Sequence, residues 1–196
     1  MRRTVGRDDP VAPSSYARLF IAVNFREPTR RALTALQAEL RQSAARGSFT
    51  PPQNLHLTLA FLGECDEVQT EAAKEAMMEL DHGSFSIEID CLGRFRRDDG
   101  DIWWAGVGEN AHLLRLQGDL TDKLKAQGFT LESRVYTPHI TLARRVAANL
   151  QEKTVSPFGE TVTNIYLMKS EHIGGRLIYT PVWEKGLAQS GGSAPS

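Results

Sequence analysis

Two short segments of this 196-residue chain repeat one pattern, HLTLA at 56–60 and HITLA at 139–143. Side chains alternate between the faces of a strand, so His56, Thr58 and Ala60 share one face while Leu57, Leu59 and Phe61 share the other. In the second segment His139, Thr141 and Ala143 oppose Ile140 and Leu142. Each apolar face anchors a strand in a core, and each polar face offers one imidazole and one hydroxyl, with a small Ala that leaves room for a ligand. Imidazole exchanges its proton near neutral pH, and a positioned acid or base contributes roughly 10²- to 10⁴-fold in rate. In-line displacement at phosphorus needs a base on the attacking oxygen and an acid on the leaving oxygen, at opposite apices. Two histidines related by an approximate twofold meet that need, with Thr58 and Thr141 donating to the non-bridging oxygens. The pattern therefore predicts metal-free phosphodiester chemistry. Two imidazoles without a neighbouring carboxylate or thiolate fall short of three protein ligands for zinc, and no other cofactor is expected.

The elements that must position these residues follow from periodicity. RLFIAVNF at 18–25 predicts a strand, and Pro28, Leu33, Leu36 and Leu40 predict a helix that ends at Gly47. A strand over 55–63 and a helix capped by Asp66 come next. SFSIEIDCL at 84–92 and IWWAGV at 102–107 read as a hairpin around DDGD. Leu113, Leu116, Leu120 and Leu124 mark a helix ending at Gly128, HITLA is a strand introduced by Pro138, and residues 147–153 are expected to form a short helix. Strands over 162–169 and 177–184 close the chain around Gly174 and Gly175. The order helix, strand, helix, strand, strand thus occurs twice, and 139 minus 56 gives an offset of 83 that also carries Thr58 to Thr141. The expected fold is α+β: two pseudo-twofold-related lobes, each a mainly antiparallel sheet with helices packed outside, and a catalytic cleft between them.

Composition bounds the rest. Length and 41% hydrophobic content fit one folded unit over 16–187, with flexible segments expected at 1–15 and 188–196. A formal net charge of −1 excludes a broad positive field for nucleic-acid backbone, so any nucleic-acid contact is local. Cys65 and Cys91 are expected to be reduced thiols. The basic N-terminus lacks an apolar h-region and no run approaches a membrane span, which predicts a cytoplasmic protein without membrane contact. His82, His112 and His172 lack repeat partners of their own type and are expected at the surface. RFRR at 94–97 is nearly cancelled by the DDGD that follows and reads as a solvated hairpin. D-H-G at 81–83 lacks the arginine of a phosphohistidine phosphatase, and no G-x-S-x-G, P-loop or G-x-G-x-x-G occurs.

PPQNLHLTLAFLGE at 51–64 and YTPHITLAR at 136–144, together with RLFIAVNF, the Gly93–Phe95 segment leading to Trp103 and Trp104, and LMKSEHIGGRLIYTPV at 167–182, resemble the two-histidine (2H) phosphoesterase superfamily. The nearest branch is the bacterial RNA 2′,3′-cyclic phosphodiesterases, also called 2′-5′ RNA ligase-like proteins, and the resemblance covers about residues 17–187. It implies that His56 and His139 are the acid and base, in an order the residues leave open, and that Thr58 and Thr141 grip the phosphate. Arg144 would add charge to that grip, which requires the strand to end or bulge there because strict alternation points it away from His139. Phe49 stands where the family often has Trp, and would be a base-stacking residue or plain core. The implied reaction opens a 2′,3′-cyclic phosphate at an RNA 3′ end by water attack, leaving a 2′-phosphate. Alternatives are 2′-5′ ligation, a small cyclic nucleotide such as an ADP-ribose cyclic phosphate as substrate, or an RNA-end binding module without turnover. No obligate protein partner is implied.

Overall fold

The computed structural model describes residues 16–189; of the ends expected to be flexible, 1–15 and 188–196, residues 1–15 and 190–196 lie outside the described residues. In chain order the elements are β1 (Ala17–Asn24), α1 (Glu27–Ser43), β2 (Ala44–Phe49), a 3₁₀ turn (Pro52–Asn54), β3 (His56–Cys65), α2 (Glu67–Met78), β4 (Phe85–Phe95), β5 (Asp101–Val107), α3 (Ala111–Ala126), β6 (His139–Ala148), β7 (Lys153–Val162), β8 (Asn164–Ile173) and β9 (Arg176–Gly186). They build one sheet of order β3-β1-β8-β9 and a second of order β2-β6-β5-β4-β7. Every pairing within the two sheets is antiparallel. This is the expected α+β architecture.

The repeated unit is β1-α1-β3, which returns as β5-α3-β6 at the offset of 83. Each unit then takes a strand from the other half of the chain: β8 lies beside β1, and β4 lies beside β5. The helices cross over as well. α1 packs on β2, β6 and β7 of the second sheet, while α3 packs on α2, on β3 of the first sheet and on β4 of the second. Leu33, Leu36 and Leu40 of α1 and Leu113, Leu116, Leu120 and Leu124 of α3 are buried in a single continuous core with Leu57, Leu59, Ile140 and Leu142. Burying each such side chain stabilises by roughly 1.5–3 kcal/mol, so the strands that carry the two histidines are anchored from below by both halves at once.

Several local expectations hold in detail. Asp66 caps α2 in a reciprocal capping box with Gln69, and the two-residue turn Gly174-Gly175 joins β8 to β9 with φ values of 57° and 76°, the left-handed conformation that favours glycine there. Both cysteines are free. Two expectations fail. Helix α1 stops at Ser43 rather than near Gly47, and residues 44–49 become β2, because the open edge of β6 offers hydrogen-bond partners that override local helix propensity. The helix expected at 147–153 does not form; β6 runs on to Ala148 and β7 begins at Lys153. β7 is an edge strand, the position that tolerates Pro157. Beyond residue 187, Ala188 is bridged to Gly83 and exchanges backbone hydrogen bonds with His82 and Ser84.

Candidate active site

The two H-x-T strands lie next to one another across the two sheets, and each departs from strict alternation at the same repeat position. In β3, Ala22 faces Thr58 and Ile21 faces Ala60, leaving Leu59 as an extra residue. In β6, Trp104 faces Thr141 and Trp103 faces Ala143, leaving Leu142 extra. Each bulged residue's carbonyl accepts from a glutamine of a helix, and the Leu142 carbonyl accepts from the Thr50 N–H as well, at 2.9 Å. Gln117 Nε2 donates to the Leu59 carbonyl at 3.3 Å, and the buried Gln37 Nε2 donates to the Leu142 carbonyl at 2.7 Å.

The bulges re-aim everything after them. Ala60 and Ala143, expected beside the histidines, are instead core residues with 8% and 0% exposure. Phe61, expected on the core face, is 50% exposed and lines the cleft, and Arg144 at the equivalent position of β6 lines it too. The bulge at Leu142 thus turns Arg144 into the cleft, and the next residue, Arg145, takes a positive φ of 53°, a second irregularity of the strand.

Each histidine is held in the same way. His56 Nδ1 donates to the Asn54 carbonyl at 2.7 Å, and His139 Nδ1 donates to the Thr137 carbonyl at 2.7 Å. Both tautomers are thereby set with Nε2 as the lone-pair nitrogen. His56 Nε2 accepts from the Thr58 hydroxyl at 3.0 Å. Aromatic rings stand edge-on to each imidazole, Tyr179 to His56 at 5.2 Å and Phe95 to His139 at 5.1 Å, both at 89°. Burial lowers both imidazoles from their ordinary value of 6.5; the backbone carbonyls offset part of this, and the Arg144 cation adds to the lowering. His56 is pushed down further by His139. In the free protein both histidines therefore favour the neutral, proton-accepting form.

The cleft has a volume of about 800 Å³, and His56, Thr58, His139, Thr141 and Arg144 all line it. Phe49 is absent from that lining. It is half-buried on β2 opposite Ala143, with the Arg41 guanidinium 4.1 Å from its ring centre. His112 is exposed and His82 pairs with Asp119 at 2.8 Å, whereas the exposed His172 stands on the rim of the cleft. Arg94 of RFRR pairs with Asp101 and Glu152.

Sequence reasoning missed Phe61, Asn54 and Tyr179. Asn54 is 3% exposed, and besides holding His56 through its carbonyl it donates from its side chain to the Leu177 carbonyl, tying the first motif to β9. Tyr179, also in the cleft lining, lies in that strand. A signal for Phe61 was present, since a bulge that brings Arg144 to the site implies its repeat equivalent at Phe61. Among the described residues no group of three or more His, Cys, Asp or Glu side chains is arranged to hold a metal ion, and no helix is long and apolar enough to cross a membrane.

The chain is similar to the RNA 2′,3′-cyclic phosphodiesterase of Thermotoga maritima, with 31% identity over 130 residues that cover 65% of this chain and 69% of the relative. It is 30% identical over 160 residues to the protein of the same name from Archaeoglobus fulgidus, covering 78% of this chain and 89% of the relative. The crystal structure of Escherichia coli LigT complexed with 3′-AMP superposes with a TM-score of 0.78 at 25% identity, over 89% of this chain and 100% of LigT. The family model of the 2′-5′ RNA ligase superfamily matches residues 25–173, a span that holds both H-x-T strands, and the chain belongs to that superfamily of two-histidine phosphoesterases.

Proposed function

We propose that this chain is a phosphodiesterase that hydrolyses the 2′,3′-cyclic phosphate at an RNA 3′ end to a 2′-phosphate, without a metal ion. The observation that carries the reading is the matched state of the two imidazoles. Each has Nδ1 committed to the carbonyl two residues before it, and the two sit on pseudo-twofold-related strands of one cleft. One Nε2 takes the proton of an attacking water as its oxygen bonds to phosphorus. The other imidazole, protonated, gives its proton to O3′ as the P–O3′ bond breaks. The products are a 2′-phosphate and a free 3′-hydroxyl, and solvent exchange returns both imidazoles to their starting states. Thr58 and Thr141 donate to the non-bridging oxygens, and Arg144 balances the charge that develops there. Thr58 turns from His56 Nε2 to the phosphate when substrate enters. A cytoplasmic location and action without an obligate protein partner complete the reading.

The similarity to proteins named RNA 2′,3′-cyclic phosphodiesterase supports an RNA substrate over a free cyclic nucleotide. The test is incubation of the purified chain, with excess chelator, on a short RNA ending in a 2′,3′-cyclic phosphate. Conversion to a 2′-phosphate is expected. A 3′-phosphate product would reverse the leaving group. Faster turnover of an ADP-ribose cyclic phosphate or of 2′,3′-cyclic AMP would reassign the substrate, joining of RNA ends would favour ligation, and a tight complex of unchanged RNA would favour a binding module.

A further inference from the structure

We propose that Gln37 is a positioning residue for catalysis, which holds the Leu142 bulge that turns Arg144 into the cleft. The inference rests on the phosphodiesterase reading above and extends it to a residue that touches no substrate, since Gln37 does not line the cleft. An amide is an unexpected side chain at this place. Gln37 stands on α1 within the stripe of Leu33, Leu36 and Leu40, and at 4% exposure it is one of three buried polar side chains among the described residues. Packing alone would favour another leucine there, and a buried amide costs stability unless its donors are taken.

Both donors are taken, and both acceptors belong to the scaffold of the site. Gln37 Nε2 donates to the Leu142 carbonyl at 2.7 Å and to the Thr50 carbonyl at 2.8 Å. The Thr50 N–H in turn donates to the Leu142 carbonyl at 2.9 Å, and the Thr50 hydroxyl donates to the Thr141 carbonyl at 2.9 Å. The amide thereby ties three segments together: α1, the bulge of β6, and the stretch from Thr50 to Asn54, whose carbonyl holds His56. Without this pin β6 is free to return to regular pairing with β5, and strict alternation then carries Arg144 to the face opposite His139 and Thr141. Gln117 makes the corresponding bond at Leu59, but at 3.3 Å and with its Nε2 shared with Thr121 at 2.9 Å. The shorter anchor is on the strand that carries the cation.

The experiment measures kcat and KM on a short RNA ending in a 2′,3′-cyclic phosphate, for the wild-type chain, Gln37→Met, Arg144→Ala and the double variant. Met matches Gln in length and donates no hydrogen bond. Misplacement of a charge-balancing group predicts that Gln37→Met lowers kcat by about 10- to 100-fold. Added to Arg144→Ala, the same substitution costs no more than about twofold, because its effect runs through the group already removed. A larger loss in that background, or no loss in Gln37→Met alone, overturns the proposal and leaves the phosphodiesterase reading intact. Gln117→Met is the comparison: whatever factor it costs is the same with and without Arg144, and a factor that vanishes likewise would show a general loosening and overturn the assignment.

A second readout needs no turnover. The Arg144 cation acts on both imidazoles together with burial, with the Asn54 carbonyl and His139 at His56, and with the Thr137 carbonyl at His139. Withdrawal of that cation favours the protonated form. Imidazole NMR titrations should therefore show His56 and His139 taking up protons at higher pH in Gln37→Met, as in Arg144→Ala, with no further rise in the double variant. No rise in Gln37→Met overturns the proposal. If the wild-type chain turns over no RNA, the phosphodiesterase reading fails, and this titration still decides the role of Gln37. Thermal melts check folding, and Gln37→Leu, which continues the leucine stripe of α1, replaces Gln37→Met should that variant unfold.

Discussion

The Tyr136 hydroxyl, three residues ahead of His139, donates to the backbone carbonyl of Thr58 at 2.9 Å. The arrangement is returned from the other side, where the Thr50 hydroxyl, six residues ahead of His56, donates to the carbonyl of Thr141 at 2.9 Å. Each H-x-T strand is thus held at its threonine by the segment that leads into its partner. The two halves of the site are registered against one another by these bonds as well as by the shared core. Tyr136→Phe removes one of them with little change in volume. The expected loss is about 1 kcal/mol of stability, read from urea midpoints, with a fall in kcat that exceeds what Tyr166→Phe, on β8 away from the cleft, produces. Unchanged kcat would show that the threonines keep their register without it.

The two threonines are not equivalent in the free protein, because Thr58 donates to His56 Nε2 and Thr141 has no such bond to His139. Thr58→Val and Thr141→Val are each expected to lower kcat by about 10- to 100-fold through loss of a hydrogen bond to the developing phosphate charge. Only Thr58→Val is expected to shift the pH limb of kcat/KM that belongs to His56, since it removes a donor that favours the neutral imidazole. Profiles of wild type and both variants check this, and equal shifts in the two would contradict it.

Gly100 and Arg145 set the second bend of β6. Gly100 has φ of 115°, and a Cβ there would meet the carbonyl carbon of Arg145 at 2.7 Å. Gly100→Ala is therefore expected to destabilise by about 1–3 kcal/mol and to lower activity by displacing Arg144, although Gly100 lies outside the cleft lining. Arg145→Gly relieves the left-handed backbone at φ 53° and should gain about 1 kcal/mol without loss of activity. Melting curves and rates for the two variants check the pair of claims, which fail if Gly100→Ala is neutral in both.

Stability should fall on the acid side. His56 and His139 have folded-state values lowered from 6.5, so as pH drops through about 6.5 the unfolded chain takes up protons that the folded chain refuses. The histidines' contribution is fully present above that value, is lost as pH falls toward their lowered values, and changes no further below them. Urea midpoints from about pH 7.5 to about pH 5 should decline more steeply for wild type than for His56→Gln/His139→Gln. Parallel curves would contradict the burial of the imidazoles.

The paired H-x-T strands, the helix ahead of each and the cleft between the halves were legible because they rest on periodicity and on residue type, whereas the expected order helix, strand, helix, strand, strand does not recur, since no second helix forms after β6. What escaped rests on neither. A bulge at Leu59 or Leu142 leaves no mark on residue type, so alternation placed Ala60 and Ala143 in the site and hid Phe61. β2 and β7, with Ala, Gly, Lys and Pro among their residues, are strands because sheet edges recruit them, a tertiary cause that local propensity does not register. Phe49 shows the converse: a residue type suited to stacking, held instead on β2 under Arg41.

The central claim is that one imidazole acts as acid on the leaving oxygen and the other as base on water. The most direct test replaces O3′ of the cyclic phosphate by sulfur, whose thiolate, with a thiol pKa of about 8.5, leaves without being protonated. With the ordinary substrate, His56→Ala and His139→Ala are each expected to lose about 10²- to 10⁴-fold in kcat. With the sulfur substrate, one of the two variants recovers most of its rate and the other does not, which also identifies the acid. Recovery of both or of neither, or wild-type rates in both variants on the ordinary substrate, would contradict the two-histidine account.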